Sequence, residues 1–131
     1  MATVELTSDN FASVVEDHDI VLLDFWADWC QPCHQFTPIF EEASQRHPDV
    51  LFGKVDAEAN PELASEFNVQ SIPTLAAIRG KVVVFSEAGV IPAEGLDELV
   101  GKIRELDMDE VRAEIARQDQ DGENGGDGDV G

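Results

Sequence analysis

The sequence contains no tyrosine and is poor in cysteine and in positive charge. Its 131 residues include two cysteines, and eight lysines and arginines stand against 28 aspartates and glutamates. The net charge of −20 argues against nucleic acid or an anionic membrane as a partner, because both attract basic surfaces. It favours instead a highly soluble protein with acidic, solvated faces.

Long apolar stretches are also missing. No segment approaches the roughly 18 apolar residues of a membrane-spanning helix. Residues 1–6 have neither the basic segment nor the apolar stretch of a secretory signal. We therefore expect a cytoplasmic, single-domain protein, and in that compartment a lone cysteine pair is more often catalytic or metal-binding than a structural disulfide.

Both cysteines and both tryptophans lie within residues 25–34, which read Phe-Trp-Ala-Asp-Trp-Cys-Gln-Pro-Cys-His. The preceding residues 20–26 are apolar on both alternating faces, which is typical of a strand buried in a parallel or mixed sheet. Pro32 suits the first turn of a helix, where its missing N–H is no loss. Apolar residues then recur at helical spacing: Phe36, Ile39, Phe40 and Ala43. The cysteine pair is therefore predicted to lie where a strand ends and a helix begins.

This position favours ionisation of one of the two thiols. The attacking species in thiol exchange is the thiolate, and an ordinary cysteine with a pKa of about 8.5 is only roughly 3% ionised at pH 7. Free N–H groups and the positive dipole end at a helix N-terminus favour an anion at Cys30. Cys33 can donate to that anion and later attack the mixed disulfide. We expect Cys30 to be the nucleophile and Cys33 the resolving thiol.

Asp24 is the exception in the apolar strand. A carboxylate among apolar neighbours is costly, so its pKa is expected to be raised, as a proton acceptor for Cys33 would require near neutral pH. The residues alone leave open a second interpretation, in which Asp24 is a polar group at a strand end that reaches solvent.

The rest of the chain alternates between short strands and helices. Strands are predicted at residues 4–6, 50–56, 74–78 and 82–86, with a hairpin turn at 79–81. Helices are predicted after a cap at Thr7 or Ser8, from Asn60-Pro61 and from Ala93. Residues 107–118 have the pattern of an additional short amphipathic helix, and the acidic, glycine-rich residues 119–131 are predicted to be disordered.

Residues 26–33 at this junction, the acid in the preceding strand and the downstream Ser71-Ile72-Pro73-Thr74 resemble the thioredoxins, over about residues 4–106. The resemblance implies the α/β thioredoxin fold, a central mixed sheet flanked by helices, to which this chain adds a C-terminal helix. It implies a monomeric protein-disulfide reductase with no metal or bound cofactor. Electrons would come from NADPH through a flavoprotein that resembles thioredoxin reductase, and the substrates would be proteins with disulfides.

The resemblance also implies roles for residues around the cysteines. Asp24 would serve Cys33, and Lys54 would lie near Asp24 and moderate its pKa. Pro73 would follow a cis peptide bond and face the cysteines, and the backbone of Ile72 would pair with an extended substrate.

Other residues would shape the substrate groove and tune the couple. Gly89 and Val90 would line the groove beside Trp29, although a small apolar patch of this kind can also be loop packing. Pro32, directly before the second cysteine, is similar to the residue that the reducing members of the family have there. Gln31 departs from the glycine that most thioredoxins carry, which puts the redox potential in question.

Several other functions fit parts of the pattern. Cys30 to His34 is also a C-x-x-C-H motif for attachment of c-type haem, but an export route and a second axial ligand are not evident. One cysteine pair with scattered histidines does not make a zinc site of four ligands. An interaction module, a thiol oxidant or isomerase, and a glutaredoxin are the remaining alternatives. The presence of Pro32 and of Trp29 argues against the last two.

Overall fold

The computed structural model describes residues 3–121, with side chains up to residue 118. This part of the chain forms five strands and five helices: β1 (Thr3–Glu5), α1 (Phe11–Asp17), β2 (Ile20–Trp26), α2 (Gln31–Arg46), β3 (Leu51–Asp56), α3 (Pro61–Glu66), β4 (Thr74–Arg79), β5 (Val82–Ala88), α4 (Ala93–Arg104) and α5 (Met108–Asp121). The predicted α/β architecture with an additional C-terminal helix is confirmed.

The five strands form one mixed sheet in the order β1-β3-β2-β4-β5. The central strand β2 runs parallel to β3 and antiparallel to β4, so both of its edges are hydrogen-bonded. Its residues 20–25 are all buried, which explains why β2 is apolar on both alternating faces. In the register of the sheet, Asp24 lies between Lys54 on β3 and Leu75 on β4.

Apolar side chains cover both faces of the sheet. On one face, Phe36 and Phe40 of α2 pack with Leu96 and Val100 of α4. On the other face, Val15 of α1 and Leu63 of α3 pack against the sheet. The sheet is therefore enclosed between two helical layers, and the end of β2 that leads into α2 is fixed from both sides.

The first helix begins later than predicted. The hydroxyl oxygen of Thr7 accepts the backbone N–H groups of Asp9 and Asn10, which is the hydrogen-bond pattern of an N-cap, so Thr7 caps the single turn that leads into the helix. The regular helix starts at Phe11, after Asn10. The predicted hairpin turn is present, and both Gly80 and Lys81 have the positive φ angles of a tight two-residue turn.

The C-terminal helix α5 is fixed to the rest of the fold through arginines. Arg79 donates to the carbonyl oxygens of Ile103, Arg104 and Leu106 and so holds the turn that precedes α5. Arg112 of α5 donates to the carbonyl of Gly80 at 3.0 Å. A groove of about 530 Å³ between α5 and β5 is lined by Val82, Val83 and Val84 on the strand side.

The end of α5 differs from the predicted end at residue 118. Residues 119–121 are helical, so α5 reaches Asp121, the last residue that the structure describes. The remainder of the predicted disordered tail, residues 122–131, lies outside the described residues. Among the helices that the structure describes, none is long and apolar enough to cross a membrane.

Candidate active site

The two cysteines lie at the start of α2. Cys30 is the N-cap residue, Pro32 falls in the first turn, and the two sulfurs form a disulfide with a Cα–Cα distance of 5.2 Å. The Sγ atom of Cys30 accepts the backbone N–H of Cys33 at 3.2 Å. Strand β2 ends at Trp26, four residues earlier, so the sheet and the helix together fix the position of the disulfide. The Cys30 sulfur thus receives the N–H group and the dipole that stabilise an anion.

The disulfide is almost enclosed. Cys33 is fully buried, Cys30 is 3% exposed, and both pack with Ala27 against Trp26 and Ile72. The Sγ atom of Cys30 lies 3.7 Å from the carbonyl oxygen of Ile72. Of the two cysteines, Cys30 is the one that keeps some exposed surface.

The segment before β4 lies beside the disulfide. The Ile72–Pro73 peptide bond is cis, and Pro73 is buried. The N–H of Gly89, directly after β5, donates to the carbonyl of Pro73 at 2.8 Å. Gly89 has a φ of +108°, and the neighbouring Val90 is 38% exposed. Residues 72–73 and 89–90, which are distant in sequence, are thereby brought together on the cysteine side of the sheet.

Trp29 forms the exposed rim of the site. Its side chain is 66% exposed, and its indole N–H donates to the carboxylate of Glu58. The Nε2 atom of His34 donates to the carbonyl of Asp28 at 2.7 Å, which ties the loop before the cysteines to α2. The sequence did not indicate Glu58, because nothing in a loop after β3 marks one acid among many as the partner of Trp29. The exposed Gln31 and Pro32 complete this rim.

Asp24 is fully buried and does not reach solvent. Its Oδ2 atom lies 3.1 Å from the Nζ atom of Lys54, whereas its Oδ1 atom has no hydrogen-bond partner among the described residues. Burial raises the pKa of the carboxyl above its usual value, and the charge and hydrogen bond of Lys54 oppose that rise. The polar strand-end interpretation is therefore wrong, because the sheet and α2 enclose the position.

Lys54 has a second polar partner that the sequence analysis missed. Its Nζ atom lies 3.1 Å from the hydroxyl oxygen of Thr37 and 5.2 Å from the ring centre of Trp26. Thr37 also donates to the carbonyl of Cys33 at 3.1 Å. The available signal was spacing, because residue 37 follows Cys33 by four positions and so lies on the same side of a helix.

The thioredoxin family model matches residues 2–104, which is most of the chain. This chain belongs to the thioredoxin family. A relative from Streptomyces coelicolor, whose name assigns it to the thioredoxins, is 52% identical over 117 residues, or 89% of this chain and 87% of that protein. The helix α5 begins at Met108, so a match over 117 residues of this chain extends into this additional helix.

Two further thioredoxins support the same assignment. Thioredoxin from Bacillus subtilis is 41% identical over 103 residues, which cover 78% of this chain and 98% of that protein. A solved structure of a mutant thioredoxin from Halobacterium salinarum superposes with a TM-score of 0.75 at 30% identity, covering 80% of this chain and 93% of the other. The fold is the thioredoxin fold, and the chain is a thiol-disulfide oxidoreductase with a redox-active disulfide between Cys30 and Cys33.

Proposed function

We propose that this thioredoxin reduces protein disulfides with Cys30 as nucleophile and Cys33 as resolving thiol. The observation that carries the proposal is the difference between the two sulfurs: Cys30 caps α2 and is slightly exposed, whereas Cys33 is fully buried. The Cys30 thiolate attacks one sulfur of the substrate disulfide and releases the other as a thiolate, leaving a mixed disulfide.

Cys33 then attacks the Cys30 sulfur of the mixed disulfide. This step breaks the bond to the substrate, releases the second substrate thiolate and forms the Cys30–Cys33 disulfide. Two electrons pass to the substrate, and two protons complete its thiols. Attack by Cys33 requires loss of its proton, and Cys33 is fully buried, so an internal acceptor is needed.

We assign that proton to Asp24. Its raised pKa makes the carboxylate a stronger base than an exposed aspartate, and its unpartnered Oδ1 atom leaves one oxygen available. Lys54 supplies a countercharge that opposes the rise in the Asp24 pKa caused by burial and so favours the ionised carboxylate.

The substrate groove is proposed along the rim described above. Support comes from the close approach of the Ile72 carbonyl to the Cys30 sulfur and from the link between Gly89 and Pro73. An extended substrate chain would pair with the backbone of Ile72 and contact the exposed side chains of Trp29 and Val90.

We further propose that a flavoprotein reductase returns the disulfide to the dithiol with electrons from NADPH. One relative, from Mycobacterium leprae, is named bifunctional thioredoxin reductase/thioredoxin and is 44% identical over 80 residues, which is 60% of this chain and 18% of that protein. We propose that the protein is a cytoplasmic, monomeric electron carrier, since a reducing compartment keeps such a dithiol/disulfide couple in its reduced form.

Trapping of mixed disulfides tests the division of labour. Cys33→Ser should accumulate a covalent adduct with a disulfide-containing protein such as insulin, whereas Cys30→Ser should not. Alkylation of the reduced wild-type protein at pH 7 should label Cys30 first. Adducts held through Cys33, or faster labelling of Cys33, would contradict the assignment, and failure of the wild type to reduce insulin with dithiothreitol would reject the activity itself.

A further inference from the structure

Thr37 connects the charged pair beneath the disulfide to the backbone of the resolving cysteine. Its hydroxyl oxygen lies 3.1 Å from the Nζ atom of Lys54 and 3.1 Å from the carbonyl oxygen of Cys33. Lys54 in turn lies 3.1 Å from Oδ2 of Asp24. Three elements, β2, β3 and α2, therefore meet through one ammonium group and one hydroxyl group.

The direction of these hydrogen bonds is fixed by chemistry. A carbonyl oxygen only accepts, so Thr37 donates its single hydroxyl proton to Cys33. An ammonium group only donates, so Lys54 donates to the hydroxyl oxygen of Thr37 and to the carboxylate of Asp24. The ammonium thus has two acceptors, one on β2 and one on α2.

We propose that Thr37 is a positioning residue that holds the Lys54 ammonium against Oδ2 of Asp24 and leaves Oδ1 free for the proton of Cys33. The proposal deepens the proposed role of Asp24 and rests on it. The Lys54 side chain is 16% exposed, so water is within its reach, and a second acceptor in the protein keeps the flexible side chain in one place.

The hydrogen bond from Lys54 to Thr37, called the anchor below, matters because of what surrounds Asp24. On β3 the carboxyl is paired with Lys54, on β4 its register partner is the apolar Leu75, and α2 contributes the Thr37 hydroxyl that shares the Lys54 ammonium. Lys54 is the one charged group that faces Asp24 among the described residues. Any displacement of the ammonium therefore leaves the buried carboxylate without a countercharge.

Replacement of the hydroxyl tests the anchor. Thr37→Val keeps the shape of the side chain but removes the acceptor, so Lys54 should turn to water and the Asp24 pKa should rise, by about half a unit or more. Thr37→Ser keeps the hydroxyl and should titrate like the wild type. The pKa is measured from the ¹³C shift of the Asp24 carboxyl in the oxidised protein, with Asp24→Asn to assign the signal.

A second measurement separates this proposal from the proposed function. Single-turnover resolution of a mixed disulfide should shift its pH profile upward in Thr37→Val and not in Thr37→Ser. An unchanged carboxyl titration in Thr37→Val, or an equal shift in Thr37→Ser, would overturn the positioning role. If the carboxyl titration shifts but Asp24→Asn resolves the mixed disulfide at the wild-type rate, the anchor stands and the proton role of Asp24 falls. If Thr37→Val does not fold, Thr37→Ala provides the same titration.

Discussion

At the scale of single residues, the buried Asp24 costs the fold stability and is the proton acceptor of the mechanism that we propose. We predict that Asp24→Asn raises the free energy of unfolding at pH 7 by about 1–3 kcal/mol, because a buried carboxylate with one unpartnered oxygen is replaced by a neutral amide. The same variant should slow resolution of the mixed disulfide more than its formation.

The pH dependence of this stability follows from the raised pKa of Asp24. Between the unfolded value of about 3.9 and the higher folded value, the native state holds more protons than the unfolded state, so stability falls as pH rises. The gain from Asp24→Asn should therefore be complete above the folded pKa and vanish below about pH 4. Denaturant unfolding of both proteins from pH 4 to pH 8 measures it, and a gain that grows towards acid pH would contradict the assignment.

Gln31 offers a second prediction at this scale. The residue lies exposed in the first turn of α2, between the two cysteines, where most thioredoxins carry glycine. One altered hydrogen bond to a sulfur is worth about 1.4 kcal/mol, which corresponds to about 30 mV for a two-electron couple. We expect Gln31→Gly to shift the potential by about that amount or less, measured against a glutathione buffer, with Gln35→Gly on the same helix as the control. Equal potentials in all three proteins would show that Gln31 does not tune the couple.

At the scale of elements, local sequence patterns predicted which helices and strands form, but not always where each one begins. The apolar run of β2 and the helical spacing after Pro32 are local signals, and both elements lie where they were expected. The start of α1 was placed too early, because Thr7 caps an isolated turn and the regular helix begins only at Phe11. How many residues separate a capping residue from the regular helix depends on backbone geometry that the sequence does not contain.

Contacts between elements were the hardest feature to predict from the sequence. The junction that carries Cys30 and Cys33 is a local feature, and the resemblance to thioredoxins added Lys54 and Pro73. The partners Thr37 and Glu58 were missed, because each acts on a residue of another element. Only the folded sheet shows which lysine or acid lies within hydrogen-bond distance.

The attachment of α5 leads to a prediction about truncation. Deletion of residues 107–131 should leave insulin reduction intact, since none of the active-site contacts described above involves α5. It should lower the melting temperature modestly, because Met108 and Val111 are only partly buried and the Arg112 bond to Gly80 is exposed. Arg112→Ala in the full chain isolates the hydrogen bond. Loss of activity in a truncated protein that remains folded would place α5 in the site.

At the scale of the whole molecule, charge dominates the response to salt. The net charge of −20 produces self-repulsion that ions screen over about 10 Å at 0.1 M ionic strength. A few exposed pairs, such as Arg46 with Asp97 and Arg104 with Asp49, weaken on screening, but exposed pairs contribute little. We therefore expect the melting temperature to rise between about 0.02 and 1 M sodium chloride. A fall over that range would mean that the ion pairs outweigh the repulsion.

The groove between α5 and β5 has a consequence for association of the protein with itself. β5 forms one edge of the sheet and begins with the apolar run Val82 to Phe85, of which Val83 is 52% exposed. An apolar edge strand is a template for strand addition by another chain, and such edges are commonly protected by charge or by a covering helix. The helix α5 lies beside this run, and Glu110 and Glu114 of α5 line the groove together with Asp107, the residue before the helix. A chain without α5 would thus remain a competent reductase and become prone to aggregation through the open edge of its sheet.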